Sequence, residues 1–333
     1  MSLALEAAVP LFQQQQKFVL TTHVNPDGDG LGSEIALAEW LSSQGKEVTI
    51  LNHSDTPSNY RFLDPHKRIF RFDPSKDSEA IAEADVIVIF DTNQPERLKS
   101  MQHQVLQSKA TRVCIDHHPE PSPFAHHYLI DETATSTGEI TYSLLLRLNG
   151  EHLPPLIAQA LYCAIMTDTG SFRYSNVDPD IHRIVAHLLE CGADPQVAYR
   201  SVYEQWSPGR IQLLGRALET LSTEYDGALA HITVTQEMLR HTGTSEVDTD
   251  NFTTYPMSVG GVVVGILFLE LKDGIKISFR SRGDIPINEL AKEFQGNGHK
   301  NAAGARLYNV SLDMIKPRVL LAAGKYLQAE RKQ

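Results

Sequence analysis

The sequence predicts an α/β protein in two parts, an N-terminal doubly wound parallel sheet followed by a smaller C-terminal α/β domain. Three observations predict it. Through the first half, β-type runs alternate with helical patterns, the signature of a parallel sheet wrapped by helices. One such run, Asp85-Val86-Ile87-Val88-Ile89-Phe90, is almost wholly apolar, as a strand buried on both faces must be. A new set of β-type runs begins near residue 221, after a long stretch without any.

The elements follow in order. Phe18-Val19-Leu20-Thr21-Thr22 is the first strand. Residues 31–44 read as a helix, with Leu31, Ile35, Leu37, Ala38 and Leu41 on one face and Gly45 as its stop. Residues 47–51, 85–90 and 112–115 read as further strands, and residues 136–148, 156–166 and 181–191 as helices. Residues 192–218 carry Pro195, Pro208 and Gly209 and show no strand pattern, which suits a connector with helical pieces. Beyond it, residues 228–234, 261–271 and 275–280 read as strands, the last two joined through Lys272-Asp273-Gly274. The small-residue run 301–305 reads as a helix. The expected division is a metal-binding catalytic domain over 1–191, a helical connector over 192–220 and a substrate-binding domain over 221–333.

Composition narrows the function. A chain of 333 residues favours two domains. Its 41% hydrophobic and 21% charged residues are those of an ordinary globular protein. A net charge of −11 argues against long duplex nucleic acid, which is held by broad basic surfaces. An acidic protein that handles phosphates must therefore bring positive charge locally, through metals or a few arginines. Cys114, Cys163 and Cys191 are far apart, lie in apolar surroundings and make no metal-type spacing, so buried, reduced thiols are expected. No basic start followed by an apolar segment is present, and no apolar run approaches the roughly 20 residues that span a bilayer. The expectation is a cytoplasmic protein with no membrane partner.

The acids and histidines fall at the ends of these elements. The first strand runs into His23-Val24-Asn25-Pro26-Asp27-Gly28-Asp29-Gly30, another ends at Asp91, the next at Asp116-His117-His118, and a helix at Thr167-Asp168-Thr169-Gly170. Ligands of open parallel sheets bind outside the carboxyl ends of the strands. His23, Asp27, Asp29, Asp91 and His117 therefore converge on one crevice, and Asp168 can join them. Carboxylates with imidazoles suit Mn²⁺, and carboxylates alone suit Mg²⁺. Six ligands exceed what one ion needs, whereas two ions about 3.5–4 Å apart would account for them. The glycines here do not follow G-x-G-x-x-G, and Asp27 and Asp29 would repel a dinucleotide's pyrophosphate. In the C-terminal part, Arg280 and Arg282 flank a strand end and suit phosphate. Gly296, Gly298 and His299 precede the small-residue helix read over 301–305, whose exposed N-terminal amides would favour an anion.

These motifs resemble the four signatures of the DHH phosphoesterase superfamily: His23-Val-Asn-Pro-Asp27-Gly-Asp29-Gly, Asp91, Asp116-His117-His118-Pro119 and Thr167-Asp168-Thr169-Gly170. Ser278-Phe279-Arg280-Ser281 and Gly296-Asn297-Gly298-His299-Lys300-Asn301-Ala302-Ala303-Gly304 are similar to the hallmarks of its DHHA1 domain, with Asn297 standing where a glycine is usual. The order and length resemble the stand-alone proteins of nanoRNase and pAp-phosphatase type. The resemblance implies that His23, Asp27 and Asp91 hold one Mn²⁺, and Asp29, Asp91, His117 and Asp168 a second, with Asp91 shared and Mg²⁺ as a substitute. It implies that Asp116 orients a histidine, that His118 faces the substrate phosphate or leaving group, and that Arg280, Arg282, Gly296, Gly298 and His299 bind the nucleotide. The implied reaction is hydrolysis of pAp and of short single-stranded RNA by metal-activated water, in a protein suggested to be a homodimer. A cyclic di-AMP or pApA phosphodiesterase is the rival on the same scaffold. A non-catalytic nucleotide sensor is the rival from another class, and the complete ligand set speaks against it.

Overall fold

The computed structural model describes residues 2–330 and divides into two compact units, one ending at Gln205 and one beginning at Trp206. The first contains α1 (Ser2–Gln14), β1 (Lys17–Thr22), α2 (Gly28–Ser43), β2 (Glu47–Asn52), β3 (Ile69–Arg71), α3 (Pro74–Glu83), β4 (Val86–Phe90), α4 (Gln102–Gln107), β5 (Thr111–Asp116), β6 (His127–Ile130), α5 (Thr137–Asn149), α6 (Pro155–Asp168), α7 (Pro179–Glu190) and α8 (Pro195–Tyr203). Its six strands are all parallel, in the order β3-β2-β1-β4-β5-β6. The order reverses between β1 and β4, which is where a doubly wound sheet opens a crevice at its carboxyl edge.

The strand pattern explains the layers. Side chains alternate across a strand, so Val86, Val88 and Phe90 of β4 pack with Phe18, Leu20, Leu31, Ile35, Ile140 and Leu161 on one face. Ile87 and Ile89 pack with Val19, Leu51, Ile81, Val105 and Cys114 on the other. Both faces are covered, hence the unbroken apolar run. A Cβ at Gly32 would sit 2.4 Å from the Ala160 carbonyl oxygen, so this glycine lets α2 press against α6. The sequence patterns do not announce α1, β3 or β6. The edge strands β3 and β6 are only three and four residues long, and α1 is held by burial of Leu5, Ala8 and Phe12, with Phe12 stacked on Phe18.

The stretch after Gly192 is divided between the units. Helix α8 buries Ala198 and Val202 in the first core, whereas α9 (Pro208–Glu219) buries Leu213, Leu214 and Ala217 in the second unit. That unit continues with β7 (Ser222–Glu224), β8 (Leu229–Val234), α10 (Gln236–Thr242), α11 (Thr254–Met257), β9 (Val264–Glu270), β10 (Gly274–Ser281), α12 (Ile287–Glu293), β11 (Asn297–His299), β12 (Ala302–Tyr308) and α13 (Leu312–Glu330). Its sheet runs β11-β12-β10-β9-β8-β7, with β8 and β9 parallel and the remaining pairs antiparallel. The hairpin at residues 272–274 is present as expected.

Two expectations are corrected. Residues 301–305 are not a helix: Ala302 to Tyr308 form β12, paired with β10 from Gly274 to Arg280. Alanine favours helix intrinsically, but pairing and burial of Ala303 and Ala305 override a weak local preference. Cys114 and Cys163 are buried, but Cys191 is only partly so, because it caps the end of α7. Among the described residues no helix is long and apolar enough to cross a membrane.

Candidate metal centre

The crevice at the switch point is built from the ends of β1, β4, β5 and α6 and the start of α2. His23 follows β1 and is buried. Its Nδ1 lies 2.8 Å from the Val24 carbonyl oxygen, which accepts only, so the ring presents Nε2 inward. There Nε2 is 3.2 Å from Asp91 Oδ2 and 3.9 Å from Asp27 Oδ2. Asp27 is the N-cap of α2, its Oδ1 accepting from the Asp29 and Gly30 amides, as short polar residues commonly do. Asp91 leaves β4 in a left-handed conformation, φ 56°, and its amide donates to the Ile115 carbonyl at 3.0 Å. That turn aims its carboxylate into the crevice.

Asp29 is fully buried and accepts from the amides of Thr137 (2.7 Å) and Gly138 (2.8 Å) at the start of α5. The Thr137 hydroxyl donates to Asp91 Oδ1 at 3.2 Å. His117 Nε2 lies 3.3 Å from Asp168 Oδ2, 3.7 Å from Asp91 Oδ1 and 3.8 Å from Asp29 Oδ2. Asp116 is buried and does not enter the cluster itself. Its Oδ1 accepts from the His117 amide at 2.9 Å and from His118 Nδ1 at 2.8 Å, which turns His118 Nε2 away from Asp116. The histidine it fixes by its side chain is therefore His118, and that hydrogen bond raises the His118 pKa above its ordinary value.

The potential metal-holding groups are His23, Asp27 and Asp91; Asp29, His117 and Asp168; and Asp91, His117 and His118. The donor set fits cations. Burial and the neighbouring carboxylates push Asp29 well above the carboxylate range and Asp168 to about 7. Burial opposes charge on His23, yet its hydrogen bonds to Asp27 and Asp91 outweigh this and push it up to about 10. Carboxylates forced toward neutrality beside an imidazole forced to keep its proton mark a crevice short of positive charge. His117 points the same way: burial and the adjacent His118 lower its pKa, and its enclosed Nε2 has no hydrogen-bond partner, as befits a nitrogen held for a metal.

The sequence reading did not single out Thr137, Gly138, Asn52 or Glu34. The first two were signalled by Ser136-Thr137-Gly138-Glu139, where Ser136 accepts from the Glu139 amide and Glu139 from the Thr135 amide, a helix-start pattern. Asn52 ends β2, accepts from the Thr22 amide and donates to Glu34. No local signal marks that link. Arg280, Arg282, Gly296, Gly298 and His299 lie in the second unit. Register places Arg280 opposite Ala302, and His299 opposite Ala302 on its other side, so Arg280 and His299 flank β12 on one row, two strand spacings or about 10 Å apart. Arg282 Nη2 donates to the Met257 carbonyl at 2.7 Å. Gly298 has φ 143°, and a Cβ there would lie 2.5 Å from the Ala302 carbonyl oxygen. Asn297 sits in β11 opposite Gly304, so the departure from glycine falls on extended backbone that any residue can adopt.

A doubly wound domain with acids and histidines gathered at its switch point, joined to a second sheet bearing cationic side chains, is the architecture of a metal-dependent phosphoesterase. This chain belongs to the DHH family: residues 17–165 match the DHH family N-terminal domain, and residues 228–323 the DHHA1 domain. It is similar to the bifunctional oligoribonuclease and PAP phosphatase NrnA of Thermus thermophilus, at 30% identity over 309 residues that cover 92% of this chain and 89% of that protein. It is similar at 27% identity to the protein of the same name from Bacillus subtilis, over 87% of this chain and 89% of that one. Among solved structures, an exopolyphosphatase-related protein from Bacteroides fragilis superposes with a TM-score of 0.89 at 30% identity, covering 99% of this chain and 96% of that one.

Proposed function

We propose that this chain is a Mn²⁺-dependent phosphoesterase that removes mononucleotides from short oligoribonucleotides and converts pAp to AMP. The observation that carries the reading is the position of Asp91. Its Oδ2 faces His23, its Oδ1 faces His117, and the two oxygens thereby join the two halves of the cluster. In this reading His23, Asp27 and Asp91 hold one ion and Asp29, Asp91, His117 and Asp168 the other, with Mg²⁺ as a weaker substitute. When bound, the ions polarise the phosphoryl group and lower the pKa of water.

The chain's own residues do the rest. Thr137 fixes one oxygen of Asp91 and α5 fixes both of Asp29, so the carboxylates are oriented before substrate arrives. Asp116 keeps a proton on His118 Nδ1 and leaves Nε2 to meet a phosphate oxygen or the leaving group. Arg280 and His299, spaced along one row of the second sheet, suit a second phosphate or the base of a nucleotide.

The test is product analysis with Mn²⁺ and, separately, pAp, a 5′-labelled RNA trimer, pApA and cyclic di-AMP. AMP from pAp and mononucleotides from the trimer are expected. Preference for pApA or cyclic di-AMP would move the assignment to second-messenger turnover, and full activity in Asp91→Asn would sink the shared-carboxylate reading.

A further inference from the structure

Beside the carboxylate crevice, the first unit exposes aromatic rings that its own core does not use. The loop that follows Asp168 at the end of α6 holds three consecutive left-handed residues, Gly170 (φ 58°), Ser171 (φ 58°) and Phe172 (φ 63°). Such backbone is rare for residues with side chains and persists only where the surroundings over-determine it. They do so here. The Ser171 amide donates to the Met166 carbonyl at 2.8 Å, and the Phe172 amide to the buried Thr169 hydroxyl at 3.1 Å. The Phe172 ring meets those of Tyr162 and His182 at 5.9 Å between centroids.

The fixed loop turns Arg173 and Tyr174 outward. Tyr174 is 57% exposed, yet its phenol end folds back toward α6: a Cβ at Gly170 would lie 2.5 Å from Tyr174 Cε1 and Cζ. Arg173 Nε donates to the Gly170 carbonyl at 2.7 Å. Among the described residues the forked end of its guanidinium has no ion-pair partner. Further tyrosines continue the patch to the crevice. A Cβ at Gly28, between Asp27 and Asp29, would lie 3.0 Å from Tyr60 Cε1. Burial raises the Tyr60 pKa, and the charges of Asp27 and Tyr203 add to it. Burial likewise raises that of Tyr203, where Tyr174 adds and Arg173 opposes, so these groups are neighbours. Tyr203 in turn packs on Tyr199, at 4.9 Å between ring centroids.

Exposed rings beside an arginine fork without a counter-charge, at the rim of a phosphate-cleaving crevice, suit a nucleobase and its phosphate. We propose that Tyr174 and Arg173 form a nucleotide subsite in the first unit. The Tyr174 ring stacks on the base next to the scissile phosphate, and the Arg173 fork binds the neighbouring phosphate. The subsite rests on the phosphoesterase reading and adds to it a preference for substrates that carry bases. Because every base has a face to stack, it grips short RNA irrespective of sequence.

The test uses the full-length chain with Mn²⁺ and two RNA trimers, one intact and one whose riboses carry no bases. Tyr174→Ala should raise KM for the intact trimer about 5–150-fold, the equivalent of one base–aromatic stack, and change that of the abasic trimer far less. Tyr174→Phe should match wild type, since the ring face and not the hydroxyl is used. Arg173→Ala should raise KM for both trimers alike. Equal KM changes for the two trimers in Tyr174→Ala, or none, overturn the subsite and leave phosphoester hydrolysis standing. A second measurement needs no turnover. The fluorescence of a phosphorothioate trimer carrying 2-aminopurine should be quenched by wild type and by Tyr174→Phe, but not by Tyr174→Ala. Quenching that Tyr174→Ala retains, or none in wild type, also overturns the subsite. Tyr174-dependent quenching without hydrolysis of the intact trimer would keep the subsite and refute the phosphoesterase reading.

Discussion

Thr137 holds two of the crevice carboxylates at once, Asp29 through its amide and Asp91 through its hydroxyl. Thr137→Val keeps the amide and the shape but loses the hydroxyl. We expect Mn²⁺ affinity to fall about 10–100-fold, the usual cost of losing a partner that orients a metal ligand. Thr137→Ser should recover most of it, and calorimetric titration with Mn²⁺ measures both. Asp116→Asn should leave metal affinity nearly unchanged but lower kcat, because its side chain orients His118 rather than entering the cluster. Equal losses in kcat and Mn²⁺ affinity would assign Asp116 to the cluster instead. At this scale the sequence was most informative where chemistry and topology coincide. His23, Asp91 and His117 were legible because each follows a strand, and parallel strands end on one edge. Thr137 and Asn52 were not, because their value depends on which carboxylate a helix start or strand end happens to meet.

Elements were legible in proportion to how much of their burial the sequence displays. β4 is buried throughout and reads as a strand without help, whereas β3 at the sheet edge is partly or wholly exposed. The β11–β12 hairpin shows the opposite failure, a small-residue run whose conformation is set by its neighbours. Gly298→Ala should strain that hairpin at φ 143° and drive a methyl into the Ala302 carbonyl. A cost of about 1–3 kcal/mol is expected, seen as a raised KM for pAp with unchanged Mn²⁺ affinity. On β8, buried His231 has an Nδ1 with no hydrogen-bond partner, and burial, aided by Lys316, pushes its pKa down to about 4. The unfolded chain takes up this proton below pH 6.5 and the folded chain does not until about 4. Stability from this group is therefore full above pH 6.5 and lost as pH falls toward 4, by at most about 3 kcal/mol. Urea midpoints of His231→Leu should fall less than wild type across that window.

For the whole molecule, the two units own separate cores, and among the described residues the metal-type clusters all lie in the first. Calorimetry should resolve two transitions, with Mn²⁺ raising only one of them and EDTA reversing the shift. At 100 times Kd the stabilisation is about 2.7 kcal/mol. A single transition that moves as a whole would show that the units unfold together. The same crevice sets activity against durability. Asp168 is pushed to about 7 chiefly by burial and by repulsion from Asp91 and Asp27, so its ionised form weakens the metal-free fold. Asp168→Asn should raise the melting temperature of the metal-free protein while abolishing turnover, with a gain of about 1–2 kcal/mol after solvent screening. Selection for catalysis thus keeps this lineage below its own stability ceiling. Released from that selection, a descendant would drift first at Asp168, whose charge opposes the metal-free fold, and last at Asp27, whose carboxylate caps the start of α2, ending as a sturdy shell without its catalyst.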